Sequence, residues 1–188
     1  AKDSCVHGLF VQLPVPKHLQ QIDFKTLIPA HKDVDGFHPQ NLINIMSNEL
    51  SNTTLIACTP KGVMSLLEHY KIELAGKFAV IIGRSMIVGK PLFHLLTNAD
   101  ATVALCHSKT KNLKELTKQA DLIVCALGKA NFLDETYLSD KKPVIIDVGI
   151  NYTDQNKLVG DANYERVKSR SSAITPVPGG VGPMTIAS

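Results

Sequence analysis

Between residues 78 and 148, short apolar runs alternate with segments of helical spacing, and this alternation limits the possible folds more than any other feature. The runs are 78–82 (FAVII), 102–106 (TVALC), 122–126 (LIVCA) and 143–148 (PVIIDV). Each is continuously apolar rather than alternating, the pattern of strands buried on both faces of a parallel sheet. Segments 89–97, 111–119 and 134–139 lie between them and read as helices. Strand and helix in strict turn predict an α/β fold with a doubly wound parallel sheet.

The flanking sequence is less regular. Thr59-Pro60 caps and starts a helix over 60–70, with Val63, Leu66, Leu67 and Tyr70 on one face. Upstream, 5–11 reads as a strand, and Pro14 and Pro16 then fix an extended backbone. Segment 19–28 has helical spacing until Pro29, 32–39 is a polar loop, and 40–50 reads as a short helix. Downstream, 152–160 reads as a surface excursion, 161–169 as a polar helix and 172–174 as a brief last strand. Residues 183–188 look like the start of a helix.

Composition excludes several classes. A length of 188 residues allows one domain and a fraction at about 150 residues per domain. A formal charge of +3 is too small to argue for a nucleic-acid or membrane partner. With 44% hydrophobic and 20% charged residues the chain is neither disordered nor a coiled coil. No run approaches the ~18 apolar residues of a membrane span, and Ala1-Lys2-Asp3-Ser4 opens no signal peptide. Cys5, Cys58, Cys106 and Cys125 are far apart in or beside apolar stretches, so they read as buried, reduced thiols in an intracellular protein. The histidines form no H-E-x-x-H pattern, and no metal is expected.

The first strand of the alternating unit runs directly into Gly83-Arg84-Ser85-Met86-Ile87-Val88-Gly89-Lys90-Pro91, followed by a helix. In a doubly wound sheet this turn offers backbone N–H groups and a helix N-terminus to a dinucleotide pyrophosphate. Glycine at 83 permits a tight turn, and glycine at 89 permits close packing at the helix start. The second strand ends Cys106-His107-Ser108-Lys109-Thr110, with hydroxyls and a base where an NAD site usually has an acid. With Arg84 nearby, this set suits a 2′-phosphate and therefore NADP. As residues alone, Arg84 and Lys109 also read as solvated surface charge.

Further blocks stand out along the chain: Val11-Gln12-Leu13-Pro14-Val15-Pro16, Lys32-Asp33-Val34-Asp35-Gly36-Phe37 and Cys58-Thr59-Pro60-Lys61-Gly62. After the nucleotide turn and Cys106-His107-Ser108 come Asp147-Val148-Gly149-Ile150-Asn151 and the stretch Thr175-Pro176-Val177-Pro178-Gly179-Gly180-Val181-Gly182-Pro183-Met184-Thr185. Together, and in this order, the blocks resemble the bifunctional methylenetetrahydrofolate dehydrogenase/methenyltetrahydrofolate cyclohydrolases.

The resemblance implies a Rossmann-like NADP domain over 58–174 and part of a folate-binding catalytic domain over 1–57. Residues 175–188 would return to that catalytic domain, with a cleft between the two. It implies NADP contacts from Gly83, Arg84, Ser85 and Ser108, with Ile150 against the cofactor. Val11, Gln12, Leu13 and the loop Pro178, Gly179, Gly180, Val181 and Gly182 would line the folate site. Gln12 and Asp35 would serve catalysis, Asp35 by binding the pterin ring. The implied chemistry is NADP-dependent oxidation of 5,10-methylenetetrahydrofolate, then hydrolysis to 10-formyltetrahydrofolate, by a cytoplasmic homodimer.

Read without the resemblance, Asp35 is also a plausible turn residue and Gln12 a polar strand end. The family's catalytic lysine follows a tyrosine by four positions, upstream of the Val-Gln-Leu-Pro block. That pair has no counterpart before Val11, so the chain is expected to be a piece of such an enzyme. Ala57, Ile43 and Asn163 also depart from the family's usual residues, away from the implied contacts. Two alternatives stand beside this reading: a catalytically incomplete NADP- or folate-binding fragment, and another NADP-dependent dehydrogenase sharing only the nucleotide domain.

Overall fold

The structure, a computed structural model, describes residues 3–12 and 15–188. It divides into two compact units, Ala1–Cys58 and Thr59–Ser188.

The first unit is built from short elements and turns. Helix α1 (Phe24–Leu27) is capped by Asp23, whose carboxylate accepts the Lys25 N–H at 3.3 Å. The same side chain takes the Thr26 hydroxyl at 3.4 Å. Asp23 therefore starts a new turn inside the predicted helix 19–28, leaving only a 3₁₀ turn at Lys17–Leu19 ahead of it. Helix α2 (Pro39–Met46) starts where His38 Nδ1 accepts the Gln40 N–H at 3.0 Å. Its Ile45 is buried, and buried Asn41 ties the Ala30 carbonyl to the Leu55 N–H at 2.9 and 3.3 Å. The predicted strand 5–11 does not form among the described residues. That segment makes a single parallel bridge, Leu9 to Asp33, because only the short stretch Lys32–Val34 lies beside it to accept pairing.

Helix α3 (Cys58–His69) leads into the second unit, where the alternating reading holds. Strand β1 (Phe78–Ile82) is followed by α4 (Gly89–Asn98), β2 (Thr102–Cys106), α5 (Leu113–Gln119), β3 (Leu122–Cys125) and β4 (Val144–Asp147). The excursion at 152–160 is a small antiparallel hairpin, β5 (Asn151–Tyr152) with β6 (Leu158–Val159). Then come α6 (Tyr164–Val167), β7 (Ala173–Ile174) and α7 (Val181–Ala187). The main sheet has five parallel strands in the order β2-β1-β3-β4-β7.

Besides the predicted helix 40–50, which ends at Met46, two helices of the second unit are shorter than their patterns. Segment 134–139 is a 3₁₀ turn, Glu135–Tyr137, held by Asp134 accepting the Thr136 N–H at 2.9 Å. Segment 161–169 begins with buried Asp161, and its helix starts only after Asn163 caps the Arg166 N–H. Each begins where a side chain, Asp134 or Asn163, accepts a backbone N–H two or three residues on.

Both sheet faces are covered, as continuous apolar strands require. On one face Ala79, Ile81, Leu122, Val124 and Ile146 meet Val63, Leu67, Leu92, Leu96 and Val181. On the other, Val80, Ile82, Ile123, Cys125 and Ile145 meet Leu133, Leu138, Ala162 and Val167. Each fully buried Leu or Ile contributes about 1.5–3 kcal/mol relative to exposure. Cys106 and Cys125 are buried here as expected, but Cys58 is only half-buried and Cys5 is exposed. The apolar neighbours of Cys5 do not bury it, because the strand expected around it is absent. All four are unpaired thiols. Among the described residues, no helix is long and apolar enough to cross a membrane.

Candidate functional site

The sheet order locates the site. The chain leaves β1 for β2 on one side and returns to β3 on the other, so the crevice lies at the carboxyl ends of β1 and β3. The turn after β1 occupies that point. Gly83 has φ +132°, and a Cβ on it would collide with the carbonyl of Ala126, the residue after β3. Its N–H donates to the Cys106 carbonyl at 2.9 Å, tying the turn to the end of β2. Ser85 Oγ accepts the N–H groups of Val88 and Gly89 at 3.2 and 3.4 Å, which starts α4. A Cβ on Gly89 would strike the Gly83 carbonyl, so both glycines are required by close approach.

Arg84, Ser85, Met86 and Ile87 are exposed, and among the described residues no protein acceptor takes any of their backbone N–H groups. Uncommitted amides at the head of α4 fit a dinucleotide pyrophosphate, which needs such donors and a helix N-terminus. Arg84 forms no ion pair among the described residues, leaving its guanidinium available to an anion. Beyond β2, Ser108 and Lys109 are exposed, and no acid stands between His107 and Thr110. The His107 ring nitrogen Nδ1 accepts the Lys109 N–H at 3.1 Å, and the Thr110 hydroxyl accepts the His107 N–H at 3.0 Å. This fixes the turn that presents Ser108.

Ile150 is 64% exposed, three residues past the end of β4. Its loop rests on two buried carboxylates. Asp147 accepts the N–H groups of Gly149, Asp161 and Ala162 at 2.9, 3.0 and 2.8 Å. Asp161 accepts those of Leu127, Gly128 and Lys129 at 2.6, 3.0 and 2.7 Å, and the Asn151 amide at 2.9 Å. Burial pushes the Asp147 carboxyl above the usual carboxylate range, against the pull of its three backbone donors. Burial and these two acids push the Cys125 thiol well up as well, so it is inert as a nucleophile. Asp161 went unrecognised in the sequence; the only hint was a Gly-Asp pair following the Asp147-x-Gly149 block.

The segment 175–182 is anchored to β4. The Thr175 hydroxyl accepts the Asp147 N–H at 2.8 Å, and the Thr175 N–H donates to Ile145 at 3.1 Å. The Val177–Pro178 peptide is cis, Gly179 has φ +101°, and Gly180 precedes α7. Pro178, Gly179 and Gly182 are exposed, whereas Val181 is buried in the core and offers a ligand only its backbone. A cavity of about 680 Å³ adjoins this segment, lined by Asp147, Thr175, Val177, Gly160, Lys157 and Tyr164. No residue of the nucleotide turn lines it.

In the first unit, Asp35 is half-buried in a loop fixed by Asp33, which accepts the His38 N–H at 2.5 Å. Gly36 closes that loop with φ +67°, and a Cβ there would stand 2.6 Å from the Ala57 nitrogen. Burial, and then the charge of Asp33, hold the Asp35 carboxyl above its ordinary value. Val11 is half-buried and Gln12 exposed, both in irregular backbone; Leu13 lies outside the described residues.

Residues 57–188 match the profile of the tetrahydrofolate dehydrogenase/cyclohydrolase NAD(P)-binding domain. The bifunctional protein FolD of Ligilactobacillus salivarius is 52% identical over 185 residues, covering 98% of this chain and 64% of that protein. Among solved structures, bifunctional FolD, methylenetetrahydrofolate dehydrogenase/cyclohydrolase, from Campylobacter jejuni has a TM-score of 0.94 at 49% identity, covering 99% of this chain and 65% of that one. The Trypanosoma brucei methylenetetrahydrofolate dehydrogenase-cyclohydrolase, solved with NADP cofactor and an inhibitor, has a TM-score of 0.90 at 34% identity, covering 99% and 65%. The chain spans about 64% of the length of the FolD proteins that it matches.

Proposed function

The chain belongs to the tetrahydrofolate dehydrogenase/cyclohydrolase family, and from that premise we propose that its protein oxidises 5,10-methylenetetrahydrofolate with NADP and hydrolyses the methenyl product to 10-formyltetrahydrofolate. Residues 58–174 are the NADP domain of this reading, 1–57 part of the folate domain, and 175–188 the segment that returns to it. NADP, when bound, supplies the hydride acceptor. The observation that carries the reading is the run of four exposed, uncommitted amides at Arg84–Ile87 on the switch point of the sheet.

The residues divide the work by chemistry. Backbone N–H groups of the Gly83 turn bind the pyrophosphate, and Arg84, Ser85 and Ser108 hold the 2′-phosphate through charge-assisted bonds. Ile150 offers an exposed apolar side chain to the cofactor. Asp35 accepts N–H groups of the pterin's aminopyrimidine, and the Gln12 amide orients a neighbouring charged group or water. Val11, Leu13 and the backbone of Pro178 to Gly182 line the folate. A homodimer in the cytoplasm completes the proposal. Exposed Tyr152 and Tyr164 give the first apolar surface, and four unpaired thiols suit a reducing compartment.

The test is the reaction itself. The intact protein, given NADP and 5,10-methylenetetrahydrofolate, forms reduced nicotinamide, followed by its absorbance. A protein of verified full length that binds NADP yet forms none contradicts the dehydrogenase assignment.

A further inference from the structure

Asp147 and Asp161 form a crossed pair. The Asp147 carboxylate fills the space that a Cβ on Gly160 would need, and the Asp161 carboxylate fills the space that a Cβ on Gly149 would need. Each acid therefore sits against the glycine beside the other. Both are almost fully buried, at 3% and 0% exposure, and neither has a cation in the ion pairs of the described residues. Seven N–H donors replace one. Burying a carboxylate this way is costly unless its acceptors are all used.

Five of those seven donors share a position, the exceptions being the Asp161 and Ala162 N–H groups. Leu127, Gly128 and Lys129 follow β3, whereas Gly149 and Asn151 flank Ile150 after β4. These loops stand at the carboxyl ends of β3 and β4. A dinucleotide laid across the switch point puts its adenosine half toward β2 and its nicotinamide half toward β3 and β4. The β2 side is held by other bonds, from Gly83 to Cys106 and from His107 to Thr110, none of which involves either acid.

We propose that Asp161 is the positioning residue for the nicotinamide half of NADP: by clamping the loop 127–129 to Asn151, it sets the spacing of the two walls between which the ring lies. This rests on the NADP reading above. Asp161 acts through backbone and not by touching the ring. Its consequence is an asymmetry that a general loss of stability does not produce.

Calorimetric titration of this chain with NADP and with 2′,5′-ADP, the adenosine half alone, reads that asymmetry. Asp161→Asn replaces one acceptor oxygen by a donor facing N–H groups, and is expected to weaken NADP about ten-fold or more. Its affinity for 2′,5′-ADP should change by less than about two-fold, because the β2 side keeps its bonds. Equal losses for both ligands, or none for either, overturn the proposal while leaving the NADP reading intact. Failure of the unsubstituted chain to bind either ligand overturns that reading, and the proposal with it. Should Asp161→Asn not fold, Asn151→Ala gives the same comparison. It removes one donor and leaves the backbone bonds, so a smaller loss confined to NADP supports the proposal, and an unchanged NADP affinity overturns it.

Discussion

Gly83 and Ala126 stand so close that a Cβ on the glycine would run into the alanine carbonyl, and this contact joins the nucleotide turn to the end of β3. The turn is thus packed against the end of β3 through backbone. Glycine is needed on two grounds, the collision and φ +132°.

Gly83→Ala is therefore expected to cost about 1–3 kcal/mol from backbone strain alone and to abolish NADP binding. Gly76→Ala is the control. Its φ is +72° but nothing lies within 4 Å of its Cβ, so it should lower Tm modestly and leave NADP affinity unchanged. Thermal unfolding and calorimetry separate the two.

Arg84→Ala should weaken NADP about ten-fold or more, the effect of removing charge-assisted bonds of roughly 1.5–3 kcal/mol. NAD, without the 2′-phosphate, should lose little. Equal losses for the two cofactors would return Arg84 to surface charge.

The second unit was legible because its information is local and repeated. Continuous apolar runs at 78–82 and 122–126, too short for helices and set between helical segments, read as strands covered on both faces, and the layers found on either side agree with that. The first unit was not. Asp23 restarts a helix that the spacing of Leu19, Ile22, Leu27 and Ile28 presents as one. The strand expected at 5–11 depends on a partner that the pattern cannot supply, and one bridge to Asp33 is what forms. At the site, the Gly83 turn announced itself by following a strand directly. The clamp between Asp161 and the 127–129 loop did not, because a long-range carboxylate-to-backbone bond leaves no periodic trace.

Asp35→Asn separates function from stability. Burial raises the Asp35 carboxyl, so the folded chain holds that proton more tightly than the unfolded one. Its contribution to stability is present at acid pH and is lost as pH rises from the unfolded value through the higher folded one. At neutral pH the substitution should therefore not lower Tm. Folate affinity should still fall, by about ten-fold, while NADP affinity holds. In the unsubstituted protein, folate affinity should decline on acidification sooner than an ordinary carboxylate would cause.

Asp121 has the opposite sign. Burial pushes its carboxyl up, but the Phe78 N–H at 2.9 Å and Lys141 at 3.0 Å outweigh this and hold it below the usual range. Its stabilisation is present above the unfolded pKa of about 3.9 and is lost as pH falls below it. Asp121→Ala should cost about 1–2 kcal/mol at pH near 7, and the difference from the parent chain should shrink on acidification. Urea unfolding at a series of pH values measures it.

The most direct measurement is the backbone amide NMR spectrum of this chain as NADP is added. The resonances of Arg84, Ser85, Met86 and Ile87 should move together, with Ser108 and Ile150 among the other shifted residues, while those of α6 stay in place. NADP binding that leaves the amides of Arg84 to Ile87 unmoved would contradict the assignment of this turn as the pyrophosphate site.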